Sequence, residues 1–371
     1  LRKTQKKFFV CIRRFYWIMV NVIEGKSILI VCYPFFGFDK VIVDELYKLG
    51  AKYVHLKKAA YFPGSPRDEH FWNPWYRGIE YYLKCPNART RWTERFVEEI
   101  NGLHFDFFLC VENTPFKKWF VSYLRKQNPD IRTIWYLWDT FKTQQKFHID
   151  YLSLFDKVLS FDRDDASRYG LEYLPNFYYS PENLNPQPYD IAFVGSANST
   201  NTSFRIEIIT YRKDICDRQN LRSFFYVKSA EISVSNPIKK IFRKVFPYRH
   251  NEILNKYRNE GFIYKESLPL SQFYEIMKGT RIIVDLGYHN RQGMTINAIM
   301  AIAGGKKLIT TNSRIKEEAF FHPDNILIID EKHPEIPVGF LESPLHKQDM
   351  SDMRIDRWLT TLFDFAENNE N

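Results

Sequence analysis

The sequence predicts an α/β protein made of two doubly wound domains, each built on a mostly parallel sheet. Three observations carry this reading. Short uninterrupted apolar runs bounded by turn residues alternate with longer amphipathic segments, as buried parallel strands joined by helices do. The alternation breaks once, in a stretch holding Pro181, Pro186 and Pro188, and then restarts. The 371 residues, 44% of them hydrophobic, are enough for two cores.

The elements follow in order. Residues 27–31 form a first strand, followed by a loop with Pro34 and Gly37 and a helix over 39–49. A second strand lies at 52–56, and strands at 106–111 and 133–137 flank a helix at 116–127. Runs at 157–161 and 172–174 complete the first sheet. The prolines that follow remove backbone donors and restrict their neighbours, which marks a linker. Beyond it, runs at 190–194, 223–227, 261–264, 282–286, 307–311 and 325–329 supply a second sheet. Residues 350–365 have a helical pattern and are expected to pack back across the first domain, ahead of a polar tail. The expected division is a basic amphipathic leader (1–24), a first domain (25–180), a second domain (181–345) and a C-terminal helix with tail (346–371). No internal repeat or low-complexity tract appears.

The net charge of +9 is uneven. Residues 1–26 carry seven Lys and Arg against Glu24, and residues 236–258 carry seven against Glu252, so the rest of the chain is slightly acidic. In both patches basic residues interleave with large apolar ones, for example Lys6, Lys7, Arg13 and Arg14 with Phe8, Phe9, Phe15 and Trp17. That pattern suits a helix lying in an anionic membrane surface, and equally a solvated basic face with a buried apolar side. The apolar run 15–23 falls short of the roughly 20 residues needed to span a bilayer. It leads into the first strand without a small-residue cleavage site, so an uncleaved surface anchor is expected rather than a signal peptide. A chain opening on Leu1 is expected to begin upstream. The five cysteines have no paired spacing that suits zinc, and a reducing compartment is the simplest reading. No nucleic-acid-binding pattern accompanies the basic charge, and nucleic acid is not expected as a partner.

The segment 281–312 has the layout of a ligand cradle: strand, polar loop, helix, glycine turn, strand. Unpaired backbone N–H groups and the helix dipole attract anions at such a helix start, where Arg291, Gln292, Gly293 and Thr295 crowd together. The loop from Gly195 to Ser203 is a second candidate, with Ser196 as the named contact. Ligands of open α/β sheets sit beyond the carboxyl ends of strands, although a helix cap at Ser203 after a polar loop explains the same residues. Lys228 and Arg291 could balance a diphosphate without a metal, while Lys228 also reads as an ordinary surface lysine. Asp139 and Glu112 follow strands of the first domain at the ligand-binding end, where a carboxylate could take a proton from a hydroxyl. For Asp139 the structural alternative is a helix cap or a bond to a neighbouring loop. Asp68 and His70 are weaker candidates. Asp162-Arg-Asp-Asp165 has the form of a D-x-D metal motif but is discounted, because the run from Asp164 to Gly170 reads as an acidic helix start with a glycine stop. The histidines show no metal-binding spacing, and nucleotide fingerprints and a serine-hydrolase elbow are missing.

Gln292-Gly-Met-Thr295, then Gly305-Lys-Lys-Leu-Ile-Thr-Thr-Asn312, Phe320-Phe321 and Asn325-Ile326 resemble a family of bacterial lipopolysaccharide and capsule glycosyltransferases related to the CgeB-like group, and Tyr136-Leu-Trp-Asp139 also fits. The local match covers about 50 residues near the C-terminal end. It implies the GT-B fold, two Rossmann-like domains facing a cleft. It further implies sugar transfer from a nucleotide-sugar donor, a substrate rather than a cofactor and needing no metal, to a glycan or lipid-linked acceptor. The donor would meet Ser196, Lys228, Arg291, Gln292, Gly293 and Thr295, and Asp139 and Glu112 would be the catalytic carboxylates. The basic patches would hold the enzyme on the cytoplasmic face of the plasma membrane. The sequence departs from the family at Met300, where a ribose-binding carboxylate is expected; a thioether cannot replace that acceptor. Alternatives are a polyol-phosphate transferase or epimerase on the same fold, or a silent scaffold binding glycan or membrane.

Overall fold

The computed structural model describes residues 21–34, 37–59, 88–112, 114–141, 149–180, 186, 188–197, 202–229, 249–287, 293–330 and 336–365. The leader through residue 20, most of the 236–258 patch, Asp68, His70, Arg291 and Gln292 lie outside them. No helix among the described residues is long and apolar enough to cross a membrane.

The first sheet contains β1 (Ser27–Cys32), β2 (Tyr53–Lys58), β3 (Phe107–Val111), β4 (Arg132–Leu137), β5 (Lys157–Ser160) and β6 (Glu172–Tyr173), in the order β2-β1-β3-β4-β5-β6. All its pairings are parallel. Its helices are α1 (Phe38–Lys48), α2 (Ala88–Glu99), α3 (Trp119–Gln127) and α4 (Arg163–Tyr169). The second sheet contains β7 (Tyr189–Ser196), β8 (Ser223–Lys228), β9 (Ile263–Tyr264), β10 (Thr280–Asp285), β11 (Lys307–Thr310) and β12 (Ile326–Ile328), in the order β12-β11-β10-β7-β8-β9. It too is parallel throughout. Its helices are α5 (Thr202–Arg218), α6 (Arg249–Lys256), α7 (Leu270–Gly279), α8 (Ile296–Ala303) and α9 (Val338–Glu342).

The twelve strands read from apolar runs are all present, because central parallel strands are buried on both faces and their sequences record it. β3 shows this most fully: each of its five residues is buried. β7 runs two residues past the expected end, so Gly195 and Ser196 belong to a strand and pair with Val227 and Lys228. Lys228 is likewise the last residue of β8 rather than a loop residue. Ser203 lies inside the first turn of α5 rather than at its cap. The acidic start of α4 is as expected. Asp162 caps it by accepting from the N–H groups of Asp164 and Asp165, and Gly170 closes it in the left-handed region.

α10 (Ile355–Phe363) crosses back onto the first domain. Trp358, fully buried, meets the rings of Tyr136 and Phe177 at centroid distances of 4.8 and 4.7 Å. Lys157 Nζ donates to the Thr361 and Asp364 carbonyls at 2.9 and 2.7 Å, placing a cation where the helix dipole favours one. The two crossings between domains pair with each other: Tyr178 N–H donates to Met353 O, and Ile355 N–H to Tyr178 O. One apolar cluster therefore runs through both domains, joining Tyr136 and Phe161 to Met294 and Ile299 and to Trp358. Trp358→Ala should lower unfolding free energy by about 3–5 kcal/mol, measured by denaturant titration. A loss below about 1 kcal/mol would mean that the helix does not anchor the first core.

Candidate functional site

Each sheet has one point where the strand order reverses, and loops diverge there to leave a crevice beyond the carboxyl ends of the strands. In the second domain this point lies between β7 and β10. Four groups organise it. Thr295 caps α8 by accepting from the N–H of Ala298, which aims the helix start at the crevice. Asn297 Nδ2 donates to Val194 O at 2.9 Å, tying α8 to β7. The Arg205 guanidinium donates to the carbonyls of Ser196 and Leu286, bridging the ends of both strands. Asp285, the last residue of β10, is buried. Burial pushes its carboxyl above the usual range, opposed by hydrogen bonding from Thr295, the charge of Arg205 and hydrogen bonding from Thr310.

Of the residues predicted to bind a donor, the structure brings Ser196 and Thr295 to this switch point. Lys228 ends the neighbouring strand, where its Nζ donates to Ser267 Oγ at 2.7 Å. Gly293 sits against the first domain, its position fixed by packing: a β-carbon there would lie 2.3 Å from Phe161 Cε2. The adjoining Met294 carbonyl accepts from Asn176 Nδ2 at 3.0 Å, and Asn176 Oδ1 accepts from the Tyr136 hydroxyl. Nearby, Glu318 accepts from Arg163 in a bidentate pair and from the Tyr173 hydroxyl, while Arg314 pairs with Asp164. The loop entering α8 is therefore braced on the first domain.

Met300 is half-buried and packs against the shared apolar cluster.

The switch point of the first domain lies between β1 and β3. Glu112, just past β3, is fully buried with φ +71°, a region unusual for a residue with a β-carbon. Its Oε2 accepts from the N–H groups of Trp138 and Asp139 at 3.0 and 2.7 Å. Glu112 thus shapes the turn that follows β4 and carries Asp139, whose own side chain is half-exposed. The two carboxylates selected from sequence are adjacent but differently employed. Asp39, buried in the first turn of α1, lies nearby. Burial pushes the Cys32 thiol far up, reinforced by the charges of Asp39 and Glu112, so this cysteine is a poor nucleophile.

Arg205 and Asp285 were not anticipated. A cation in the first turn of a helix opposes the dipole, and that local conflict was the available signal for Arg205. Asp285 ends an apolar strand at the predicted ligand-binding edge, a position that was visible in the sequence.

No family model matches the sequence, and no curated protein does. Solved structures do match. A trehalose-phosphate synthase (UDP-forming) from Burkholderia vietnamiensis is 9% identical with a TM-score of 0.50, over 91% of this chain and 97% of that one. An E. coli trehalose-6-phosphate protein bound with UDP-2-fluoro glucose is 11% identical, TM-score 0.48, over 91% and 94%. The UDP-GlcNAc 2-epimerase of Methanocaldococcus jannaschii, solved with UDP-GlcNAc and UDP, is 11% identical, TM-score 0.44, over 82% and 88%. At such identities the likeness concerns the fold alone: two six-stranded parallel sheets in a GT-B-like arrangement.

Two outcomes test the site's construction. Gly293→Ala should cost about 1–3 kcal/mol through overpacking, and should cost less in a Phe161→Ala background, a coupling read from the double-mutant cycle. A neutral Gly293→Ala in thermal or denaturant unfolding would rule out the close contact. For Asp285 the folded pKa is raised above an unfolded value of about 3.9. The native state therefore holds this proton longer, and the stability it contributes is complete below about pH 4 and lost as pH rises through the folded pKa. The stability of the parent minus that of Asp285→Asn should fall with rising pH in urea titrations. A difference independent of pH would refute the assignment.

Proposed function

We propose that the protein is a glycosyltransferase which takes a sugar from a nucleotide-activated donor. The observation carrying this reading is the second-domain switch point, where the Thr295-capped start of α8 adjoins the Arg205-bridged ends of β7 and β10. A helix start of this kind suits a diphosphate. The donor would lie across Ser196 and Thr295, with Lys228, Arg291, Gln292 and Gly293 completing its surroundings.

The acceptor would approach from the first domain. Its hydroxyl oxygen forms a bond to the anomeric carbon as the bond from that carbon to the phosphate oxygen breaks. The hydroxyl proton passes to the Asp139 carboxylate, and the nucleoside diphosphate leaves with the bonding electrons, its growing charge stabilised by N–H donors and cations. Glu112 is better suited to positioning, because its Oε2 already accepts from the Asp139 backbone. A lipid-linked or lipopolysaccharide or capsule glycan is the acceptor class we favour, on the residue resemblance around 292–326. The basic patches at 1–26 and 236–258 would keep the enzyme at an anionic membrane surface.

A thermal-shift panel of nucleoside mono- and diphosphates tests the reading. One nucleotide series should stabilise the chain, with Thr295→Ala and Arg291→Ala weakening that effect. Asp139→Asn should reduce transfer by about 10²–10⁴-fold while leaving the nucleotide shift intact. If no nucleotide shifts the transition, the proposal fails and a glycan- or membrane-binding scaffold becomes the better reading.

A further inference from the structure

The strongest unassigned cluster lies at the root of the C-terminal crossing, in the second domain. His322 and Asp324 sit in the connection between β11 and β12, and His346 in the segment that leaves α9 for the first domain. One ligand atom from each lies within 4.8 Å of the others. His346 Nε2 is 2.9 Å and His322 Nδ1 3.7 Å from Asp324 Oδ2, and the two imidazoles stack with centroids 3.8 Å apart and planes inclined by 28°. His322 Nδ1 also accepts from the Asp324 N–H at 3.2 Å, so an unprotonated ring nitrogen already faces the group. A metal taking that lone pair would displace this donor, and its bonds to His346 Nε2 and Asp324 Oδ2 would replace the hydrogen bond between those two atoms.

The backbone around the three residues is held firmly. Asn325, itself buried, clasps His346 from both sides: its Oδ1 accepts from the His346 N–H, and its Nδ2 donates to the His346 carbonyl. The Asp324 carbonyl accepts from Lys307 Nζ at 3.2 Å and from Ser343 Oγ at 3.1 Å. Lys307 Nζ donates further to the carbonyls of Phe340 and Ser343. These bonds fix two separate chain segments side by side before any ligand binds, which is the support a coordination site needs. Two imidazoles and one carboxylate suit zinc and its neighbours in the first transition row better than magnesium or calcium, which prefer all-oxygen sites.

We propose that His322, Asp324 and His346 bind one divalent transition-metal ion, with Zn²⁺ as the reference case, and that the ion pins the segment leading to the C-terminal crossing onto the second domain. Water would complete the coordination. The ion would have no part in sugar transfer, because the cluster belongs to the β11–β12 connection rather than to the switch point between β7 and β10.

The test is calorimetric titration of the full chain, freed of metal by chelator, with Zn²⁺ alone. One equivalent should bind, raising the thermal transition. His322→Gln and His346→Gln should each weaken binding by at least about tenfold, and abolish the thermal shift without lowering the transition of the metal-free chain. Asn325→Ala, which removes only the clasp, should weaken binding by about 10–100-fold. Zinc that binds equally to the parent and both glutamine variants would overturn the proposal, as would stabilisation by Mg²⁺ or Ca²⁺ equal to that by Zn²⁺. A parent chain that takes up no zinc would overturn it outright.

Discussion

The two domains are registered by a contact that leaves no room for a β-carbon. Gly293, at the mouth of the loop entering α8, lies against the Phe161 ring at the end of β5. Any larger residue would have to displace a buried aromatic side chain, so the separation of the two sheet edges is set here. Polar bonds then fix the orientation. Asn176 holds the Met294 carbonyl, and Arg163 and Tyr173 converge on Glu318. The bidentate Arg163–Glu318 pair is the kind of fork geometry that specifies direction as well as distance. Because Met294 also belongs to the shared apolar cluster, movement of one domain against the other would disturb core packing as well as surface bonds.

That registration brings together two switch points of opposite chemical character. Behind the first-domain switch point lie buried carboxylates, Asp39 and Glu112, and thiols whose ionisation burial suppresses. The negative charge of the carboxylates disfavours a phosphate there. The second-domain crevice offers the start of α8 and the Arg205 cation, although the buried Asp285 moderates that positive character. Local electrostatics therefore favour an anion at the second-domain switch point over the first.

Much of this was legible in the sequence because burial leaves a mark on composition. Doubly buried strands appear as continuous apolar runs, and the acidic start and Gly170 stop of α4 appear as residue types that the helix dipole and the backbone favour there. The crossing by α10 was readable from its helical pattern. Other features were not, since they depend on residues distant in the chain. Gly293 read as a donor-site residue at the start of a helix, yet its close neighbour is Phe161, more than a hundred positions earlier. Glu112 read as a free carboxylate at a strand end, and only the turn after β4 reveals that it holds the Asp139 backbone. Arg205 was hidden because its partners are main-chain carbonyls, which carry no residue identity. The His322–Asp324–His346 group was missed for a related reason: a spacing rule cannot find a cluster whose third member enters from another segment.

Met300 shows how these local facts bear on ligand grip. The helix α8 presents no acceptor there, because the side chain packs into the shared apolar cluster. Asn297, one turn earlier, has its amide nitrogen committed to Val194 O. Asp285 cannot move into the vacant role, being buried within the sheet edge and hydrogen-bonded to Thr310. Extracting that carboxylate toward a ribose would break existing bonds and leave their donors unsatisfied, a cost of about 1–3 kcal/mol for each buried group. A nucleotide bound at this switch point would then be held chiefly by its phosphates, at the start of α8, with weaker discrimination at the sugar of the nucleoside. Selectivity among nucleotides would have to come from contacts to the base or from the loop ahead of Gly293, rather than from the helix position where a carboxylate was expected.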